Sequence, residues 1–190
     1  MNLSATHNMY FIAIVCPQEL DKKILQFKYW MKEQFGSVVA LKSPAHITFI
    51  QPFWMEEDKE EELKKVLLAF TSDMDELEIL LEGFSHFGKR VLFVRVHENP
   101  SLEELKNQAE DHFARSFGDL IQKDDRPFHP HITIANRDLK PGDFEKARQH
   151  FSNKIFKEKF HSKTISLLKL IEGKWNVIGE KRWQTGKNHH

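Results

Sequence analysis

The tripeptide His-Ile-Thr occurs twice in this chain, at His46–Thr48 and at His131–Thr133. With eleven His, thirteen Ile and six Thr among 190 residues, random placement yields only about 0.02 copies, so a pair at matching places points to an internal repeat. His46 lies 37 residues after Met9, where an apolar run begins, and His131 lies 41 residues after Arg90, where another begins. The repeat constrains the fold more than any other feature. It calls for one domain over residues 1–190, built from two similar lobes of roughly 1–89 and 90–190. A pseudo-two-fold axis relates them and a central cleft lies between; the lobes are free to exchange terminal strands.

The elements around each copy agree in order. Met9 to Cys16 is a continuous β-branched and aromatic run and reads as a buried strand ended by Pro17. Glu19 to Phe35 carries Leu20, Ile24, Phe27, Met31 and Phe35 at helical spacing, and Gly36 stops it. Ser37 to Leu41 reads as a short strand, His46 to Phe53 as another, and Glu57 to Phe70 as a helix with an acidic start that suits its dipole. Glu76 to Phe84 and Arg90 to His97 read as strands about a turn at Phe87-Gly88-Lys89. In the second half, Ser101 with Glu104 three residues on reads as a capping box opening a helix over Leu102 to Phe117. After the loop Asp124-Asp125-Arg126-Pro127 come a strand, Phe128 to Asn136, and a helix, Phe144 to Phe151. A terminal hairpin, Lys163 to Glu172 and Trp175 to Trp183, turns at Gly173-Lys174.

In a strand, residues i and i+2 share a face and i+1 points away. Each motif therefore offers an imidazole and a hydroxyl to one side. Ile47, Phe49, Ile132 and Ile134 anchor the other side in the core. Two lobes would bring two imidazoles and two hydroxyls around one small volume. Histidine gives or takes a proton near neutrality, and a pair suits a displacement that needs a base at one end and an acid at the other. Threonine hydroxyls can donate to non-bridging phosphate oxygens. The set fits in-line attack on a phosphodiester, with His46 and His131 as acid and base and Thr48 and Thr133 holding the phosphate.

These motifs, with AHITFIQPF around the first and FHPHITIANR around the second, resemble the two-histidine (2H) phosphoesterases, marked by paired H-x-[ST] motifs. The likeness is nearest to the RNA 2′,3′-cyclic phosphodiesterase / 2′-5′ RNA ligase-like group. MYFIAIVCPQEL resembles that group's opening strand and turn, and LEGFSHFGKRVLFVRV its aromatic hairpin. One departure is Ile50-Gln51-Pro52-Phe53, where many relatives have Phe-Leu-Gly. The resemblance implies a bilobal α+β fold of antiparallel-rich sheets with outer helices. It implies metal-independent catalysis without a cofactor, and RNA ends or small nucleotides as substrate. By analogy it makes His131 the base and His46 the acid, and the product a 2′-phosphate. Ligation through a 2′-5′ bond, hydrolysis of a small cyclic or 2′-5′ nucleotide, and nucleotide or RNA binding without turnover are the alternatives.

Other residues are weighed against bland roles. Phe128, Phe53, Phe84 and Phe87 could stack on a base, with core packing as the competing role. Arg126 and Arg137, and more weakly Lys42 and Lys89, are candidate phosphate contacts. His129 shares a face with His131 and with His46 could complete a three-histidine metal site. His86, His97, His112, His150 and His161 read as surface or interface residues. Cys16, the single cysteine, reads as a small buried hydrophobe; it excludes an intramolecular disulfide and a cysteine-based zinc site and suits a reducing compartment. Lys plus Arg equals Asp plus Glu at 28 each, which excludes a strongly basic nucleic-acid binder but not a local basic rim. Eleven acids against three bases lie between Glu56 and Glu82, and thirteen bases against six acids follow from Arg137 onward. The N-terminus lacks a positive region before its short apolar run, and no run approaches the roughly 20 residues of a membrane span. A cytoplasmic monomer without a membrane partner is expected. The pair His189–His190 is a candidate tag remnant and carries no functional weight.

Overall fold

The computed structural model describes residues 6–123 and 126–184. The pair His189–His190 and the Asp124-Asp125 part of the long loop lie outside the described residues.

The described chain is α+β, with four α-helices and two four-stranded antiparallel sheets. β1 (His7–Val15), β2 (His46–Glu56), β7 (Thr164–Ile171) and β8 (Lys174–Arg182) form one sheet in the order β2-β1-β7-β8. β3 (Leu77–Phe87), β4 (Val91–Val96), β5 (His131–Ala135) and β6 (Lys157–Ser162) form the other in the order β5-β4-β3-β6. The first three positions of the two sheets match, counted from the His-Ile-Thr edge. A His-Ile-Thr strand stands at one edge, the opening strand of its half lies beside it, and a strand from the other half follows. β3 leaves the first half to pair with β4, and β7 leaves the second to pair with β1. A cut at residues 89 and 90 falls between β3 and β4, which are hydrogen-bonded partners.

The helices cross over in the same way. α1 (Gln18–Phe35) lies against β5, and α3 (Pro100–Phe117) lies against β2, so each long helix backs the other half's His-Ile-Thr strand. α2 (Glu60–Ala69) packs on β8 and α4 (Pro141–Ser152) on β3. Ile47, Phe49, Ile132 and Ile134 are all buried in one continuous core that spans both sheets. No described helix is long and apolar enough to cross a membrane.

The elements follow their sequence patterns with instructive exceptions. Ser37 to Leu41, expected as a strand, is a bend leading into a 3-10 turn at Val39–Lys42. The amides of Val38 and Val39 donate to the Asp138 carboxylate instead of to a neighbouring strand. Asn99, not Ser101, caps α3; its side chain accepts from the Leu102 amide, and Pro100 takes the first helical position, where its missing N–H is no loss. Phe128 to Pro130 are loop, so the second motif's strand begins at the histidine itself. β6 carries no sequence signal because only Phe160 among its six residues is buried. It is a charged edge strand, a common defence against edge-to-edge pairing. Gly83, at φ 68, sits at the irregularity where β3 bends between its Leu81 and Phe84 pairings.

Candidate functional site

β2 and β5 lie against each other although they belong to different sheets. On β1, Val15 faces His46 and Ala13 faces Thr48 across the ladder; on β4, Arg95 faces His131 and Phe93 faces Thr133. Both histidines and both threonines are half-buried, while the isoleucines between them are closed off. The site thus draws two edge strands together, each showing the same pair of side chains.

Local bonding orients the two imidazoles alike. Nδ1 of His46 lies 2.7 Å from the carbonyl of Pro44, and Nδ1 of His131 lies 2.7 Å from the carbonyl of His129. A carbonyl only accepts, so each Nδ1–H donates and each neutral ring keeps its lone pair on Nε2. Among the described residues, neither Nε2 nor the hydroxyl of Thr48 or Thr133 has a hydrogen-bond partner in the protein. Aromatic rings set the ring planes. Phe11 lies 4.8 Å from His46 and is met edge-on by Trp175 at 4.6 Å. Phe87 stands perpendicular to His131 at 4.8 Å, with Phe93 at 5.0 Å.

Burial holds both imidazoles in their neutral form. It pushes His46 from the ordinary 6.5 to about 4, against the opposing Pro44 hydrogen bond, and the charges of Lys28 and His131 push the same way. His131 is also lowered by burial, with His129 adding to the effect and the bond to the His129 carbonyl opposing it. Two rings with unengaged Nε2 atoms and two unengaged hydroxyls thus stand on the adjoining strands β2 and β5.

The other candidates divide. Phe87 is exposed and touches His131, so it remains free to meet a ligand. Phe53 is 7% exposed and packs on Tyr10 within the core, and the half-buried Phe84 joins an aromatic cluster with Phe27, Phe151 and Phe156, so both serve packing. Phe128 packs edge-on to Phe49 with the Lys106 ammonium over its ring, so it supports the loop before His131. Arg137 and Arg126 are both exposed, Arg137 just beyond β5, its backbone amide bonded to Asn136. Lys42 and Lys89 are exposed at turns. His129 is exposed, and no group of three or more His, Cys, Asp or Glu side chains placed to hold a metal ion occurs among the described residues. The three-histidine alternative is therefore not assembled. His97 pairs with Glu82, His161 with Glu78, His112 with the Val66 carbonyl and His86 with the Gly88 carbonyl, while His150 stacks on Trp30. Cys16 is buried, and burial drives its thiol well above the usual range, which leaves it inert as a nucleophile.

Sequence pattern does not reveal the roles of Phe11, Phe93 and Trp175. Phe11 sits in a run apolar on both faces, so alternation cannot separate the side facing His46 from the core side. Trp175 reaches the site only because β7 and β8 return to β1.

The sequence profile of a family described as the 2′-5′ RNA ligase superfamily matches residues 16–174. A Geobacillus sp. (strain WCH70) protein named "Putative phosphoesterase" is 28% identical over 166 residues, covering 83% of this chain and 88% of its own. A protein of the same name from Geobacillus kaustophilus (strain HTA426) is 27% identical over 165 residues, 82% and 87% of the two chains. Among solved structures, TT0787 of Thermus thermophilus superposes with a TM-score of 0.65 at 16% identity, covering 94% of this chain and 99% of its own. E. coli LigT complexed with 3′-AMP superposes with a TM-score of 0.63 at 20% identity, covering 92% and 97%. At these identities the structural likeness establishes the fold.

Proposed function

The chain belongs to the 2′-5′ RNA ligase superfamily, and from that premise we propose that it opens nucleoside or RNA 2′,3′-cyclic phosphates with water, without a metal ion. One observation carries the reading. Two imidazoles with the same fixed tautomer, each with an unengaged threonine hydroxyl on the same face, stand on adjoining edge strands. That is the equipment for an in-line displacement at phosphorus. The nucleotide in LigT complexed with 3′-AMP supports a nucleotide as the ligand class.

In the step, a water oxygen attacks phosphorus and loses a proton to Nε2 of one histidine. The ring oxygen opposite leaves and takes a proton from Nε2 of the other. Thr48 and Thr133 donate to the non-bridging oxygens. Burial, with the charges of Lys28 and His131 adding to it, drives His46 down to about 4, so this ring rests neutral and suits the proton from water. We assign His46 as base and His131 as acid, the reverse of the roles suggested by analogy. In-line geometry lets only one ring oxygen meet the acid in a given pose, so a single isomer forms; O3′ departure leaves a 2′-phosphate. A ribose 5′-hydroxyl in place of water would give a 2′-5′ joint through the same transition state.

The test is phosphorus NMR of the products from a 2′,3′-cyclic dinucleotide, with and without EDTA. A lone 2′-phosphate, formed equally under chelation and lost in His46→Ala and His131→Ala, supports the reading. A 3′-phosphate overturns the product assignment, and nucleotide binding with no hydrolysis moves the protein to the binding-module class.

A further inference from the structure

Lys28 is a charged side chain outside the paired histidines and threonines, and it is buried at 2% exposure. It is the eleventh residue of α1; the eleventh of α3 is Glu110, also buried. Glu110 is paired with Lys106 at 2.7 Å. Lys28 has no such partner among the described residues; its ammonium donates to the Ser43 carbonyl at 2.9 Å. Taking an ammonium out of water without a paired carboxylate is costly, so a chain that does so at the edge of a reactive site invites a functional explanation.

The geometry supplies one. Asp21, two helical turns before Lys28, accepts from the Ala45 amide at 2.6 Å. The two side chains thus grip residues 43 and 45 on either side of Pro44. The Pro44 carbonyl in turn receives Nδ1–H of His46. A path of hydrogen bonds runs from α1 through the loop to the imidazole and fixes which nitrogen carries the proton. In the second half the lysine of the backing helix is held differently: Lys106 lies over the Phe128 ring and is paired with Glu110. The charged or titratable groups acting on His46 are Lys28 from α1 and His131 from β5, while β1 presents the neutral ring of Phe11.

We infer that Lys28 is a positioning residue for His46: its buried ammonium holds the loop whose Pro44 carbonyl orients the imidazole, and its positive charge adds to the burial that disfavours a second charge there. Burial pushes the Lys28 ammonium down to about 8, with Asp21 and Cys16 opposing, so it stays cationic at neutral pH and repels a second positive charge at His46. The inference rests on the acid–base reading of the two histidines, because an uncharged His46 matters only to a reaction that hands it a proton.

Imidazole NMR titration of the substrate-free protein tests it. Lys28→Met keeps length and burial and removes both the charge and the donor. The His46 midpoint moves up while that of His131 stays in place, and the acid limb of kcat/KM moves up with His46. Lys28→Gln, which keeps a donor and removes the charge, shifts His46 in the same direction and serves if the Met variant does not fold. Lys28→Arg leaves the midpoint near wild type. A His46 midpoint unmoved by Met or Gln, or one that moves together with His131, overturns the inference. A shifted His46 in a protein that hydrolyses no cyclic phosphate keeps the electrostatic role of Lys28 and defeats the catalytic reading instead.

Discussion

At the scale of single residues, each candidate imidazole is tied to the carbonyl two positions upstream, and the tie determines what it can do. Nδ1 is committed, so every proton gained or lost at the site passes through Nε2. The same burial that leaves His46 neutral for the proposed proton from water makes it expensive to charge in the empty protein. Its value in the folded chain lies near 4 against 6.5 when exposed. Between those values the unfolded chain binds a proton that the folded chain does not, so stability rises with pH across this window. The contribution is complete above about pH 6.5 and is lost as pH falls toward 4; it amounts to roughly 2–3 kcal/mol. Urea unfolding at pH 7 and at pH 4.5 measures it. His46→Gln, which cannot take up a proton, flattens the difference. A variant as acid-sensitive as wild type would place the loss elsewhere.

At the scale of elements, legibility tracks one-sidedness. β2 is readable from its breaker and its motif, and α1 from its apolar stripe and Gly36. The turn at 39–42 is not, because its partner is a carboxylate a hundred residues away. β6 is not, because it buries one side chain. Both motif histidines and threonines stand out from strand spacing alone, whereas Lys28 hides within a helix where a lysine is unremarkable. Glu60, in the acidic opening of α2, also looks like a solvated charge. It instead accepts from the Tyr10 hydroxyl at 2.8 Å and from Lys169 at 2.6 Å, joining α2 to β1 and β7. Burial disfavours its charge, but the hydrogen bonds from Lys169, Lys64 and Tyr10 win and hold it near 2. Glu60→Ala leaves a buried phenol and a nearly enclosed ammonium without their shared acceptor. It destabilises the fold by about 1–3 kcal/mol. Denaturant unfolding reads this directly, and Glu60→Gln, which retains one acceptor, falls between the two. A neutral Glu60→Ala would show that water replaces the carboxylate at no loss.

At the scale of the whole molecule, the proposed chemistry depends on the distance between two strands that share no sheet. β2 and β5 are edge strands of different sheets, so no backbone ladder sets their spacing. The crossed helices and the shared core bring them together, and one polar clamp lies close by. Asp138, three residues beyond β5, accepts from the Ser37 hydroxyl at 3.0 Å, the Val38 amide at 2.5 Å and the Val39 amide at 2.9 Å. It thereby ties the segment leading into β2 to the segment leaving β5, at the ends of the two strands that carry the histidines. Asp138→Ala removes three charge-assisted bonds, worth about 1–3 kcal/mol together at a partly exposed position. The fold survives on its core, but the two Nε2 atoms are no longer held at one separation. Because displacement of a reacting group by about 1 Å can cost on the order of a hundredfold, the loss falls on kcat. KM changes little, since Thr48 and Thr133 still meet the phosphate. Asp138→Asn keeps an oxygen for the two backbone amides and retains most of the turnover. Steady-state kinetics on a 2′,3′-cyclic dinucleotide, beside thermal unfolding of each variant, separates the cases. A kcat unaffected in Asp138→Ala despite a lowered Tm would mean that packing alone sets the distance between the histidines.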